Sequence, residues 1–254
     1  MSKIDLEIWH DENLVFHRDE KISFAQCTPD GKMSWSEILK FTSDNAGEDF
    51  TQRGMGWEWL QKKGIVFIAT RISFKVYKMP LAEQLITLRT WEAVPAGPLA
   101  SRMYEIVDKE TKEVLVKGYS LWTILDLNTK RLIPSKAYQY RPLPTAPVEY
   151  DGIKPGKITI PENMEKLGTH KILYSELDAN GHVNNSKYIN FAIDYLPPEY
   201  RSKEISEFRL NYTKEAHIDD SLEIFANINQ DENKAVFQGL LNGESSFDAE
   251  IFWK

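Results

Sequence analysis

A chain of 254 residues with 42% hydrophobic, 27% charged and 12% aromatic residues has ordinary globular composition, which excludes disorder, collagen and coiled coil as its main architecture. Its 31 basic against 38 acidic residues give a formal net charge of -7, so a broad electrostatic grip on nucleic acid is excluded. No run of about 18 apolar residues exists to span a membrane, Asp5 and Glu7 stand where a signal peptide would be apolar, and the single Cys27 excludes an intrachain disulfide or a thiolate metal cluster.

The first predicted element is a helix opening at 34–41, with Ser34 as its cap and Trp35, Ile38, Leu39 and Phe41 near one face. Strand-like runs follow at 65–77, 84–93, 100–108 and 114–126, separated by Pro95-Ala96-Gly97-Pro98 and Lys109-Glu110-Thr111-Lys112. Six of the twelve prolines, Pro134, Pro142, Pro144, Pro147, Pro155 and Pro161, then fall within 28 residues. Such a stretch resists helix and central strand, so 134–157 is predicted to be an extended linker between domains 1–133 and 158–254.

Beyond the linker the same order recurs. A helix is predicted over 185–196, stopped by Pro197-Pro198, and strands over 205–212, 221–229, 234–242 and 245–253. Tyr188, Phe191, Ala192 and Tyr195 share one helical face, which Ile189, Ile193 and Leu196 widen well past a stripe. A helix that apolar must be wrapped. The expected fold is therefore α+β, a strongly curved antiparallel sheet around a central helix, built twice. Phe74-Lys75-Val76 before Tyr77 and Phe208-Arg209-Leu210 before Tyr212 are a short trace of that duplication.

The segment 175–188 (Ser-Glu-Leu-Asp-Ala-Asn-Gly-His-Val-Asn-Asn-Ser-Lys-Tyr) concentrates a carboxylate, amides and an imidazole just before the apolar helix. Gly181 allows a left-handed turn that brings Asn180 and His182 to one side, and the helix start leaves backbone N–H groups for an oxyanion. The same residues also read as plain turn and cap chemistry, with Asn184 or Asn185 as the cap. His182 is what that second reading explains least, since a cap needs an oxygen.

Asp178-x-Asn180-x-His182-Val183-Asn184-Asn185, with Lys187-Tyr188-Ile189 after it, resembles the signature of the plant and bacterial acyl-acyl carrier protein thioesterases. Ser120-Leu121-Trp122-Thr123 leading into 128–134, and Tyr212-Thr213-Lys214-Glu215-Ala216, resemble two further segments of that family, so the likeness covers most of the chain. It implies a tandem (double) hotdog fold, hydrolysis of fatty acyl thioesters, no cofactor, and a catalytic set of Asp178, Asn180, His182 and Glu215. Where plant members carry a cysteine once proposed as nucleophile, this chain has Ala216, which points to direct attack by water. Glu215 is the expected base, in a partly apolar cleft that would favour a carboxylate working near neutral pH. His182 is the other candidate for that role. Val183 and Asn184 are expected to supply backbone N–H groups to the oxyanion, and Asp178 to orient Asn180.

Aligning the two helices puts Thr28, Asp30 and Lys32 opposite Asp178, Asn180 and His182, with Pro80 near Glu215, so one site per chain is expected. The first half is then free to hold the acyl chain, with Trp35, Phe41, Phe50, Trp57, Trp59, Phe67 and Phe74 lining a tunnel or forming core. The implied partner is an acidic acyl carrier protein whose phosphopantetheine bears the acyl chain. Residues 1–133 hold 18 basic against 19 acidic residues and 134–254 hold 13 against 19, so an acidic partner favours the first half. Lys62, Lys63, Arg71, Lys75 and Lys78 are its docking candidates. His217 beside Asp219 and Asp220 lacks a third ligand at metal spacing, so no metal is expected. An acyl-CoA thioesterase, a non-catalytic acyl-binding hotdog and a hotdog dehydratase are the competing readings. A cytoplasmic enzyme, monomeric or homodimeric, is the expected setting.

Overall fold

Ser34 opens the first helix as its sequence implies. In the computed structural model, which describes residues 6–138, 149–201 and 203–254, its hydroxyl accepts the Glu37 N–H at 3.4 Å and starts α1 (Trp35–Gln52). The helix runs a further three turns beyond the apolar signal, because its buried face continues through polar residues, Thr42, Asn45 and Asp49. Asp49 is tolerated there because Arg102 Nη2 and His10 Nε2 each lie 2.9 Å from its carboxylate.

The chain divides into two units, residues 1–69 with 76–151, and residues 70–75 with 152–254. In the first, β1 (Ile8–His10), β2 (Phe16–Lys21), β4 (Leu85–Ala96), β5 (Leu99–Asp108) and β6 (Val114–Asp126) lie side by side in that order, all antiparallel. The short β7 (Leu132–Ile133) pairs with the end of β6, and α1 packs on β2 and β4. A second helix, α2 (Trp57–Lys63), has no amphipathic signal of its own and ends at Gly64 with φ +65°. A side chain at Gly64 would clash with the Asn128 amide nitrogen, so both conformation and space select glycine.

In the second unit, β9 (Ile205–Tyr212), β12 (Glu244–Trp253), β11 (Lys234–Leu241), β10 (Ser221–Asn229) and β8 (Glu165–Lys171) are neighbours in that order. Residues 70–75 of β3 (Ile65–Val76) pair with β9 from Arg71 opposite Asn211 to Lys75 opposite Glu207, and so belong with this unit and not with the domain 1–133 to which sequence assigned them. Phe74 and Phe208 face each other across that pairing and stack with ring centroids 5.3 Å apart.

The apolar helix is shorter than predicted. Asn184 takes the Ser186 N–H on its side chain at 2.9 Å, which makes 185–187 a tight 3-10 turn before α3 (Tyr188–Asp194). Pro198 then begins the short α4 (Pro198–Arg201). Tyr188, Ile189, Phe191 and Ala192 of α3 are buried, and Tyr188 meets Phe247 of β12 edge-on at 5.3 Å. This is the wrapped helix that its composition requires. The strands that sequence reading missed, β1, β2, β7 and β8, are short or carry charges on both faces, as in Phe-His-Arg-Asp-Glu-Lys and Glu-Lys-Leu-Gly-Thr-His-Lys. Within the predicted linker, Pro134 precedes a 3-10 turn at Ser135–Ala137, while Pro142, Pro144 and Pro147 lie outside the described residues.

Candidate active site

The segment from Asp178 to Asn184 folds into a closed hairpin turn. The Asp178 carboxylate accepts the N–H of Asn180 at 2.8 Å and of His182 at 3.3 Å, while Asp178 N–H donates to the His182 carbonyl at 2.8 Å. Gly181, at φ +80°, lets the chain reverse between them. The Asn180 amide lies 3.4 Å from the other Asp178 carboxylate oxygen, so Asp178 holds Asn180 on its own side of the turn. One carboxylate thus closes the Asx-turn and holds the Asn180 amide.

The hairpin then docks on the segment after β9. Val183 N–H donates to the Ala216 carbonyl at 2.9 Å, and His182 and His217 face each other in an antiparallel bridge. On extended backbone, residues two apart share a face, so Glu215 and His217 both project on the side that His182 faces, while Ala216 between them is buried. His182 Nε2 lies 3.4 Å from Glu215 Oε2, and the His182 and His217 rings meet edge-on with centroids 4.9 Å apart. Sequence reading considered His217 only with Asp219 and Asp220; the signal for its real neighbours was its two-residue spacing from Glu215. Behind them, burial pushes the Tyr188 hydroxyl above the usual phenol range; Ser246 and the Ala216 backbone oppose the rise, and the charge of Glu215 adds to it.

Two expectations about the site are overturned. The backbone N–H groups of Val183 and Asn184 are not available to an oxyanion, because the first is taken by the Ala216 carbonyl and the second donates to the Glu176 carbonyl at 2.9 Å. Nor does Glu215 sit in an apolar cleft, since 60% of its side chain is exposed. The amide of Asn180 is exposed at the turn, two residues before His182, and its hydrogen-bond partner is Asp178.

The first unit repeats this architecture without its chemistry. Thr28 N–H donates to the Lys32 carbonyl, Gly31 to Thr28, Met33 to Pro80 and Ser34 to Gln26, each matching a bond of the 176–184 hairpin. Lys32 bridges Leu81 as His182 bridges His217. Thr28, Asp30 and Lys32 therefore occupy the places of Asp178, Asn180 and His182, Leu81 replaces His217, and Met79, two residues before Leu81, replaces Glu215. No acid or imidazole faces Lys32 from that strand end.

The tunnel candidates separate. Phe41 is buried and Trp35 and Trp59 are half-buried, while Phe67 meets Phe50 and Tyr138, each with ring centroids at 5.3 Å. Trp57 is 72% exposed and lines no interior, because it stands on the first turn of α2 where that helix faces solvent. Phe74 packs within the second unit against Phe208, so it is no part of a first-unit tunnel. Among the docking candidates, Lys62, Lys63 and Lys78 are exposed in the first unit, and Arg71 and Lys75 are half-buried in the second.

An antiparallel sheet packed on a helix, present twice, defines a tandem hotdog protein. The chain belongs to the acyl-ACP thioesterase family, ACP being acyl carrier protein: the family profile for the N-terminal domain matches residues 13–136 and that for the C-terminal domain matches residues 161–254. It is 28% identical over 227 residues to a chloroplastic palmitoyl-acyl carrier protein thioesterase of Gossypium hirsutum, covering 84% of this chain and 54% of that protein. It is 26% identical over 198 residues to the chloroplastic acyl-[acyl-carrier-protein] hydrolase FATB3 of Cuphea viscosissima, covering 75% of this chain and 48% of that protein. The chain thus spans about half the length of the curated relatives it matches. Its fold is similar to that of an acyl-ACP thioesterase from Bacteroides thetaiotaomicron, with a TM-score of 0.82 at 23% identity, covering 96% and 99% of the two chains. Among the described residues no helix is long and apolar enough to cross a membrane.

Proposed function

We propose that this protein hydrolyses fatty acyl-ACP to free fatty acid and ACP, by water and without a covalent intermediate. The observation that carries the reading is the His182 to Glu215 approach of 3.4 Å, on the strand end that the 178–184 hairpin docks against. Glu215 takes a proton from a water that sits against both side chains, and that water adds to the thioester carbonyl carbon. The carbonyl oxygen, now negative, is met by the Asn180 amide with His182 beside it, since the neighbouring backbone donors are engaged. Collapse of this tetrahedral species breaks the carbon-sulfur bond, and the departing thiolate of the phosphopantetheine recovers the proton.

Cys27 has no part in this chemistry. It lies in the first unit at the position equivalent to Leu177, and burial pushes its thiol up, with the Asp30 charge adding, so the nucleophilic thiolate is disfavoured. The acidic carrier meets the exposed lysines of the first unit, Lys62 and Lys63 at the end of α2 and Lys78. Phe41, Phe50 and Phe67, with Trp35 and Trp59, are the first unit's own candidates for holding an acyl chain. A reducing compartment, the cytoplasm, suits a chain whose one cysteine has no intrachain partner.

The test is hydrolysis of ACP thioesters from eight to eighteen carbons beside matched CoA thioesters. Faster turnover of the carrier-bound series, with Cys27→Ala leaving kcat/KM unchanged, is the expected result. Binding of acyl-ACP with no turnover would leave only a carrier-binding protein, and equal turnover of both series would remove the carrier from the assignment.

A further inference from the structure

His182, Glu215 and His217 form the one group of three histidine or acidic side chains, among the described residues, whose ligand atoms all lie within 4.8 Å of one another. We propose that these three side chains bind a divalent transition-metal ion of the zinc class. The geometry follows from the backbone: a bridged pair brings two side chains within about 5 Å, and the i, i+2 spacing adds the carboxylate on the same face. Two imidazoles and one carboxylate are the ligand types that favour zinc over calcium or magnesium, which prefer all-oxygen shells.

The surroundings favour a cation. Lys214, the nearest lysine in sequence, has its ammonium held by Glu244, Lys171 is paired with Asp219 at 2.9 Å, and residues 134–254 carry six more acidic than basic residues. The Asp220 carboxylate accepts the His217 N–H at 2.8 Å, which fixes the backbone from which His217 projects. The His182 and His217 rings already lie edge-on at 4.9 Å, so a metal would need side-chain rotation and no backbone change. A fourth position would stay open to water.

A functional consequence rests on the hydrolase reading above. A bound ion occupies the Glu215 carboxylate and the His182 imidazole together, so the residues that activate water are withdrawn and hydrolysis falls as the site fills. His217 is the component that the proposed mechanism does not use, and it therefore separates the two activities.

The experiment is calorimetric titration of tag-free protein with zinc, with magnesium and calcium as controls, beside acyl-ACP hydrolysis at the same zinc concentrations. Binding at one ion per chain is expected, absent for magnesium and calcium, and weakened at least about tenfold in His217→Gln. The metal-free His217→Gln protein is expected to hydrolyse acyl-ACP like the wild type and to resist zinc. No binding tighter than about 1 mM, or binding that His217→Gln leaves unchanged, overturns the site. Stoichiometric binding in a protein that hydrolyses no acyl-ACP would sink the hydrolase reading and leave the metal site standing.

Discussion

Glu215→Gln is expected to lower kcat/KM for acyl-ACP by about 100- to 10,000-fold, nearly all of it in kcat, because a positioned base acts in the chemical step and not in binding. That range corresponds to about 2.7 to 5.4 kcal/mol of lost transition-state stabilisation. The amide keeps the volume of the carboxylate and removes its basicity. Glu215 contributes little to the fold, since 60% of its side chain is exposed and its ion pair is with the half-buried His182 at 3.4 Å, so thermal stability should change by less than about 0.5 kcal/mol. Stopped-flow or steady-state assays on a single acyl-ACP, paired with a thermal melt, read both quantities. A variant that kept a tenth or more of wild-type kcat would transfer the base role to His182.

That assignment was legible in the sequence to an uneven degree, and the unevenness has physical causes. A strand with clean alternation, such as Ser221–Asn229, is legible to the residue because Leu222, Ile224 and Ala226 on one face are buried. Strands with charges on both faces gave no such period, and Phe16–Lys21 was missed although Phe16 and Asp19 are both buried. The same limit hides how far α1 runs past Phe41: Asn45 and Asp49 interrupt the apolar pattern, yet Asp49 is buried and paired with Arg102 from a strand more than fifty residues away. Pairing across such separations is invisible to a local pattern.

At the site, residue identity was easier to see than donor availability. Asp178, Asn180 and His182 stand out because their types exceed what a turn needs, whereas Glu215 is legible only through the family resemblance. The backbone N–H groups of Val183 and Asn184 were expected to be free because both precede a helix, yet tertiary contacts with Ala216 and Glu176 take them. His217 shows the converse. Its spacing from Glu215 was on the page, but only the bridge to His182 turns two residues of one strand end into three side chains around a point.

The same bridge makes His182 and Glu215 a unit, and this yields the second large effect. His182→Ala is expected to reduce kcat/KM by about 100- to 10,000-fold, and adding Glu215→Gln should reduce it little further, because both side chains act on the same water. Independent contributions would multiply, taking the double variant roughly 10,000-fold or more below wild type. The imidazole is separable from the fold: the hairpin is closed by the Asp178 carboxylate and by backbone bonds at Asp178, His182 and Val183, none of which uses the ring. A melt within about 1 kcal/mol of wild type would establish that His182→Ala keeps the turn. A fully multiplicative double variant would show that the two residues serve separate steps, with His182 acting on the thioester oxygen or the leaving sulfur and Glu215 alone preparing the water.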